Sequence, residues 1–165
     1  MPPGLHRVSF LVLSLLPPVA STAGHDHGTA VDRHSHELSA TDDPRTAVDF
    51  PPPMRRHLLS NMRDHLDTLA RVQAALAAGE HERASALAEQ RLGMTSLTLH
   101  GAHDAARHMP EGMRELGSAM HRQASRFAVS VQDAAVTGDL RPALSSLAEL
   151  TGACASCHAA YRLAD

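Results

Sequence analysis

Two thiols and an imidazole stand together near the end of the chain, in the run Cys154-Ala155-Ser156-Cys157-His158. These are the only cysteines in the sequence. Side chains three apart on a helix share a face. Both sulfurs then reach the two vinyl groups on one side of a porphyrin, and the next imidazole turns toward the iron. C-x-x-C-H is the attachment pattern of c-type haem, and a neutral histidine nitrogen is a good iron ligand that covalent tethering keeps in place. Other chemistries use the same atoms. A Cys154–Cys157 disulfide is tight at this spacing and leaves His158 without a role. A thioredoxin-like redox pair belongs beside a βαβ pattern, and a zinc site needs a second ligand pair at suitable spacing. The spacing therefore predicts one covalent haem c with His158 as an axial ligand.

Haem of this kind is attached outside the bacterial cytoplasm, and the N-terminus reads as an export signal. Met1 to Arg7 is short and weakly positive, Val8 to Val19 is largely apolar, and Ser21-Thr22-Ala23 supplies the small residues of a cleavage site. Cleavage is expected after Ala23, with Ala20 as the other choice. A membrane anchor needs roughly 20 apolar residues, and Pro17-Pro18 ends this run early. The expectation is a periplasmic protein with no stable membrane insertion after cleavage. Net charge is −3 with 13 histidines counted neutral, so there is no polybasic signature of nucleic-acid binding. No triad, carboxylate pair or phosphate loop indicates an enzyme.

The mature chain is alanine-rich, lacks Trp, and keeps only Phe50, Phe127 and Tyr161 as aromatics. Aromatic side chains usually supply much of a core's bulk, so a large apolar cofactor suits the deficit. The segment 24–53 is polar, rich in histidine and ends in Pro51-Pro52-Pro53, which predicts a disordered leader. Four amphipathic segments follow in 54–165. The first, Met54 to Ala78, places Leu58, Met62, Leu66, Leu69, Val72 and Leu76 on one face, with Gly79 closing it. The second, Glu80 to His108, turns Ala84, Leu87, Met94 and Leu97 inward and stops at Pro110. The third starts near Glu111 with the stripe Met113, Leu116, Met120, Ala124, Phe127, Val131 and Ala134, and ends at Gly138. The fourth opens with Asp139 as N-cap and Pro142 in its first turn. Its stripe of Leu140, Leu144, Leu147 and Leu150 runs on into Cys154, Cys157 and Tyr161. No window alternates with period two, so no strand is expected. The predicted fold is all-α: an antiparallel up-down-up-down four-helix bundle with covalent haem.

A C-terminal C-x-x-C-H on the last of four Ala-rich helices, followed by Ala159-Ala160-Tyr161-Arg162, resembles the class II c-type cytochromes, the cytochrome c′ family. The resemblance covers roughly 54–165 and is specific only around the motif. It implies that Arg162, four residues after His158, lies near the haem; an end-of-helix charge favourable to the macrodipole explains it equally well. It also implies that a first-helix residue faces the iron's sixth position. High-spin members leave that position to small gases such as nitric oxide or carbon monoxide, whereas low-spin members fill it with Met and transfer electrons. Met62 is the nominee here, His57 the second and His65 the third, set against plain core packing for a helical Met stripe. Arg55 or Arg56 are candidates to pair with a haem propionate, against ordinary surface charge. Relatives often pair as homodimers through their first two helices.

The functional expectation is electron transfer with a redox protein partner not identifiable from sequence. The alternatives are gas binding at an open sixth position, or a periplasmic copper or zinc binder using the His and Met residues. Imidazoles spaced as in His25, His27, His34 and His36 can bind such metals, although the composition there suits a flexible tail. His100, His103, His108 and His121 cluster around the second turn with Met109, Met113 and Met120. Of these, His100 and His103 share a face at i, i+3, either as surface residues or as a pair that lines a pocket or binds copper.

Overall fold

The computed structural model describes residues 43–164; the export signal, the H-x-H leader and the rest of 24–42 lie outside them. The described chain is mostly helical. Strand β1 (Thr46–Val48) precedes α1 (Pro52–Ala77) and α2 (His81–Arg91). A 3-10 turn at Met94–Ser96 and a short α3 (Ala102–Ala106) lead to α4 (Glu111–Thr137), α5 (Arg141–Ala160) and β2 (Tyr161–Leu163).

Proline sets the start of three helices. Pro51 caps α1, Pro110 caps α4, and Pro142 occupies the first turn of α5, where a missing N–H costs nothing. The closing turn of α1 is a Schellman motif: the Glu80 amide donates to the Ala75 carbonyl at 2.8 Å and the Gly79 amide to that of Leu76 at 3.0 Å. Asp139 does not cap α5 as expected. Leu140 holds that position, and Asp139 instead accepts the Arg141 amide at 3.0 Å.

The helices α1, α2, α4 and α5 share one core. Val72, Ala75, Ala84, Ala88, Leu92, Ala124, Phe127, Ala128, Val131, Ala134, Ala143 and Leu150 form a continuous buried cluster. Phe127 is fully buried at its centre, and alanines supply most of the surrounding surface. The α4 stripe from Met120 to Ala134 is as the sequence predicts. On α1 and α5 the expected faces need correction. On α1 the buried face is Leu58, Asn61, His65, Thr68, Val72 and Ala75, rotated away from Met62 and leaving Leu66 69% exposed. Asn61 and His65 turn inward because they meet the buried His100 segment. On α5, Leu144 is 54% exposed, so the leucine stripe narrows to Leu140, Leu147 and Leu150.

The second expected helix, Glu80 to His108, is not continuous. It stops at Arg91, and Met94 is exposed rather than inward. Gly101 has φ +59°, a left-handed conformation that breaks any helix through it. Likewise, the leader expected to be disordered over 24–53 contains β1, and α1 begins within its proline run. The two unexpected strands pair in parallel, Thr46 with Tyr161 and Val48 with Leu163. Strands of three residues are too short to show a period. Around them Val48, Phe50, Leu58 and Ala105 form a second, smaller apolar cluster with Met54, Met109, Met113 and Tyr161 packed against it.

Candidate cofactor cavity

The last turns of α5 carry Cys154, Cys157 and His158, and all three line one cavity of about 410 Å³. Cofactor pockets are typically roughly 300–1,000 Å³ and mostly apolar. Here the apolar wall comes from α1 (Leu58, Leu59, Met62), from α3 and the turn after it (Ala105, Met109), and from α4 (Met113, Leu116, Met120). Both thiols are free and half-buried. Burial pushes their pKa values up, and the neighbouring Cys154 pushes Cys157 further. A reactive redox dithiol needs the opposite shift, toward thiolate.

Arg162 on β2 lines the cavity, as does Arg45, which the sequence reading missed. The two share one carboxylate. Arg45 donates to Asp43 from Nε at 3.0 Å and holds its carboxyl down at about 2, while the Arg162 Nε lies 3.6 Å from Asp43 Oδ2, buried and without a hydrogen-bond partner. Arg45 also reaches the His158 carbonyl at 3.5 Å. Of the first-helix arginines, Arg55 lines the cavity and Arg56 does not.

Among the nominated first-helix residues, Met62 and His65 line the cavity. His57 does not; its Nε2 is engaged by the His100 carbonyl at 3.0 Å. The reversal at Gly101 separates the expected His100–His103 pair: His100 is buried, whereas His103 is exposed beside Arg107. His108 is also exposed, with its ring 6.2 Å from that of Phe50.

His65, His100 and His121 come together from α1, the α2–α3 connection and α4. Their ring centroids stand 4.6, 5.8 and 6.1 Å apart. All three are buried and line the cavity. His65 Nε2 and His100 Nδ1 are 3.3 Å apart, and His121 Nδ1 donates to the Leu92 carbonyl at 2.7 Å. Ser96 Oγ lies 3.5 Å from His100 Nδ1 and 3.4 Å from His121 Nδ1. Asn61 donates to the His100 carbonyl at 3.0 Å. Behind His100, Asp64 pairs with Arg91 and stands with its other oxygen 3.8 Å from His100 Nε2. Burial depresses all three imidazole pKa values, that of His65 to about 4 with help from His100 and His121. Each ring is therefore neutral near pH 7. Among the described residues no three His, Cys, Asp or Glu side chains are arranged to hold a metal ion. A polar i, i+4 pair such as Asn61 and His65 inside an otherwise apolar stripe is the sequence trace of this cluster.

Comparison of the chain with models of protein families, with curated proteins and with solved structures gives no match.

Proposed function

We propose that this chain is an exported mono-haem c-type cytochrome of the class II kind, a non-enzymatic electron carrier of the periplasm. In this reading α1, α2, α4 and α5 form an antiparallel up-down-up-down bundle around the alanine core, with the haem at the cavity end. The observation that carries it is that both thiols and the imidazole of a single C-x-x-C-H line one largely apolar cavity. The donor set suits a porphyrin: two sulfurs for its vinyl groups, His158 for its iron, and arginines for its carboxylates. The orphaned Arg162 Nε is a donor in want of such an acceptor. Haem supplies one-electron chemistry when bound, at a potential that the protein tunes by axial ligation, hydrogen bonding and burial.

Met62 is the sixth ligand in this proposal. Its thioether lines the cavity, whereas the Nε2 of its rival His57 is already engaged. Methionine–histidine ligation raises the potential, which suits electron transfer. The redox partner would be another protein.

The test is expression in a host competent for c-type maturation, followed by acid extraction into organic solvent and a haemochrome spectrum in pyridine. Pigment retained by the polypeptide, and lost in the Cys154→Ala, Cys157→Ala double variant, is the expected result. Pigment that extracts freely, or is never present, overturns the reading.

A further inference from the structure

His100 is buried, yet its Nε2 has no hydrogen-bond partner, and neither does the Asp64 Oδ2 that stands 3.8 Å away. A buried donor site facing a buried acceptor, both unsatisfied, is costly unless something completes it. With the neutral ring's proton on Nδ1, toward His65 Nε2, a second proton on Nε2 would do so, giving His100 an N–H directed at a carboxylate. On its other side, His100 Nδ1 meets His65 Nε2, and His65 is part of the wall that holds Cys154, Cys157 and His158. The chain of polar atoms therefore runs from a partly exposed carboxylate to the cavity.

We propose that His100, with Asp64 behind it and His65 in front, takes up a proton when the cavity's cofactor gains an electron, so that electron transfer by this protein is proton-linked. The inference rests on the haem reading above. One electron arrives from a reduced partner, or from dithionite in the test, and one proton from solvent forms the Nε2–H bond of His100. On oxidation both leave, and no other bond changes.

The coupling follows from charge. An added electron makes the cavity more negative by one unit, and in a low-dielectric interior that favours the cationic form of a nearby imidazole. The groups facing His100 set its starting point. From α1 these are Asp64, which favours the proton, and His57 and His65; from α2, Arg91 opposes it, and from α4, His121 does too. With Asp64 partly neutralised by Arg91, the unit stays unprotonated until the electron tips the balance.

The experiment is potentiometric titration of the matured protein between pH 4 and 7. The expected midpoint potential rises as pH falls, approaching 59 mV per tenfold rise in proton concentration, the value for one proton per electron. His100→Asn should flatten that slope, while His103→Asn, at an exposed imidazole outside the cavity, should leave it unchanged. As a measurement needing no variant, the His100 ring titration followed by NMR should lie at higher pH in the reduced protein than in the oxidised one. A pH-independent potential, a slope that survives His100→Asn, or an identical ring titration in both redox states overturns the proposal. Those failures occur with covalent pigment present. Loss of pigment to organic solvent instead overturns the haem reading, and this inference falls with it.

Discussion

The alanine-packed region and the cavity region lie along the same long helices but handle their polar groups differently. Around Phe127 many of the neighbours are alanines, and Ser85 Oγ donates to the Ala128 carbonyl at 2.9 Å and accepts from Gln132 at 3.0 Å. Around the cavity the wall is methionine, imidazole and guanidinium, and unsatisfied atoms gather at Asp64, His100 and Arg162. Beside the alanine core Thr68 Oγ1 is left unpaired. More such atoms gather around the cavity. The alanine core is therefore expected to carry most of the stability, and a ligand that fills the cavity would add stability in proportion to its affinity.

The largest test of that division is Phe127→Ala, which removes the central side chain of the alanine core. It should cost about 3–5 kcal/mol, read as a lower urea midpoint at unchanged slope. A loss below about 1 kcal/mol would place the main source of stability elsewhere.

Acid probes the other region. Unfolded histidine titrates near 6.5, while folded His65 titrates near 4. Between those values the unfolded chain binds more protons, so stability drops as the pH is lowered. The loss begins near pH 6.5, steepens to about 1.4 kcal/mol per pH unit for this one ring, and levels off below pH 4. Cofactor-free protein unfolded in urea across this range should show it, and His65→Asn should remove that ring's share. Equal slopes in both proteins would show that His65 titrates alike folded and unfolded.

Smaller again is Gly101→Ala, at the reversal that turns His100 inward and His103 outward. The left-handed conformation there costs a Cβ-bearing residue roughly 1–2 kcal/mol, and the new Cβ would stand 3.1 Å from His57 Nε2. Thermal unfolding measures it, and no loss of stability would mean that the turn tolerates a different backbone. The smallest change in stability is expected from Met62→Ala, because Met62 is only partly buried. Its effect should appear in the absorption spectrum, with a low-spin oxidised form becoming high-spin and reactive toward carbon monoxide. An unchanged spectrum removes Met62 from the iron.

The sequence reading was most secure where interactions are local. The α4 stripe runs through Ala124, Phe127 and Val131 between Pro110 and Gly138, so period and punctuation agree. On α1 they conflict. Leu66 and Leu69 suggest one face, yet Asn61 and His65 lie inward because their partners come from the distant His100 segment. The spacing of Cys154, Cys157 and His158 was readable as a motif, and so was Met62 as a nominee. The histidine cluster was legible only in part: His100 and His121 were grouped at the second turn, but the addition of His65 and the loss of His103 follow from the chain's reversal at Gly101. Arg45 escaped notice for the same reason: only its strand's pairing with Tyr161 to Leu163 brings it to the cavity.

That pairing has a consequence for timing. Joining Thr46 to Tyr161 closes nearly the whole described chain into a loop, and contacts so far apart in sequence tend to form late in folding. The helices can assemble while the clasp of β1 on β2 is still open. If haem is attached as proposed, that interval would leave Cys154 and Cys157 within reach of an attachment apparatus. Closing the clasp brings Arg45 against the end of α5.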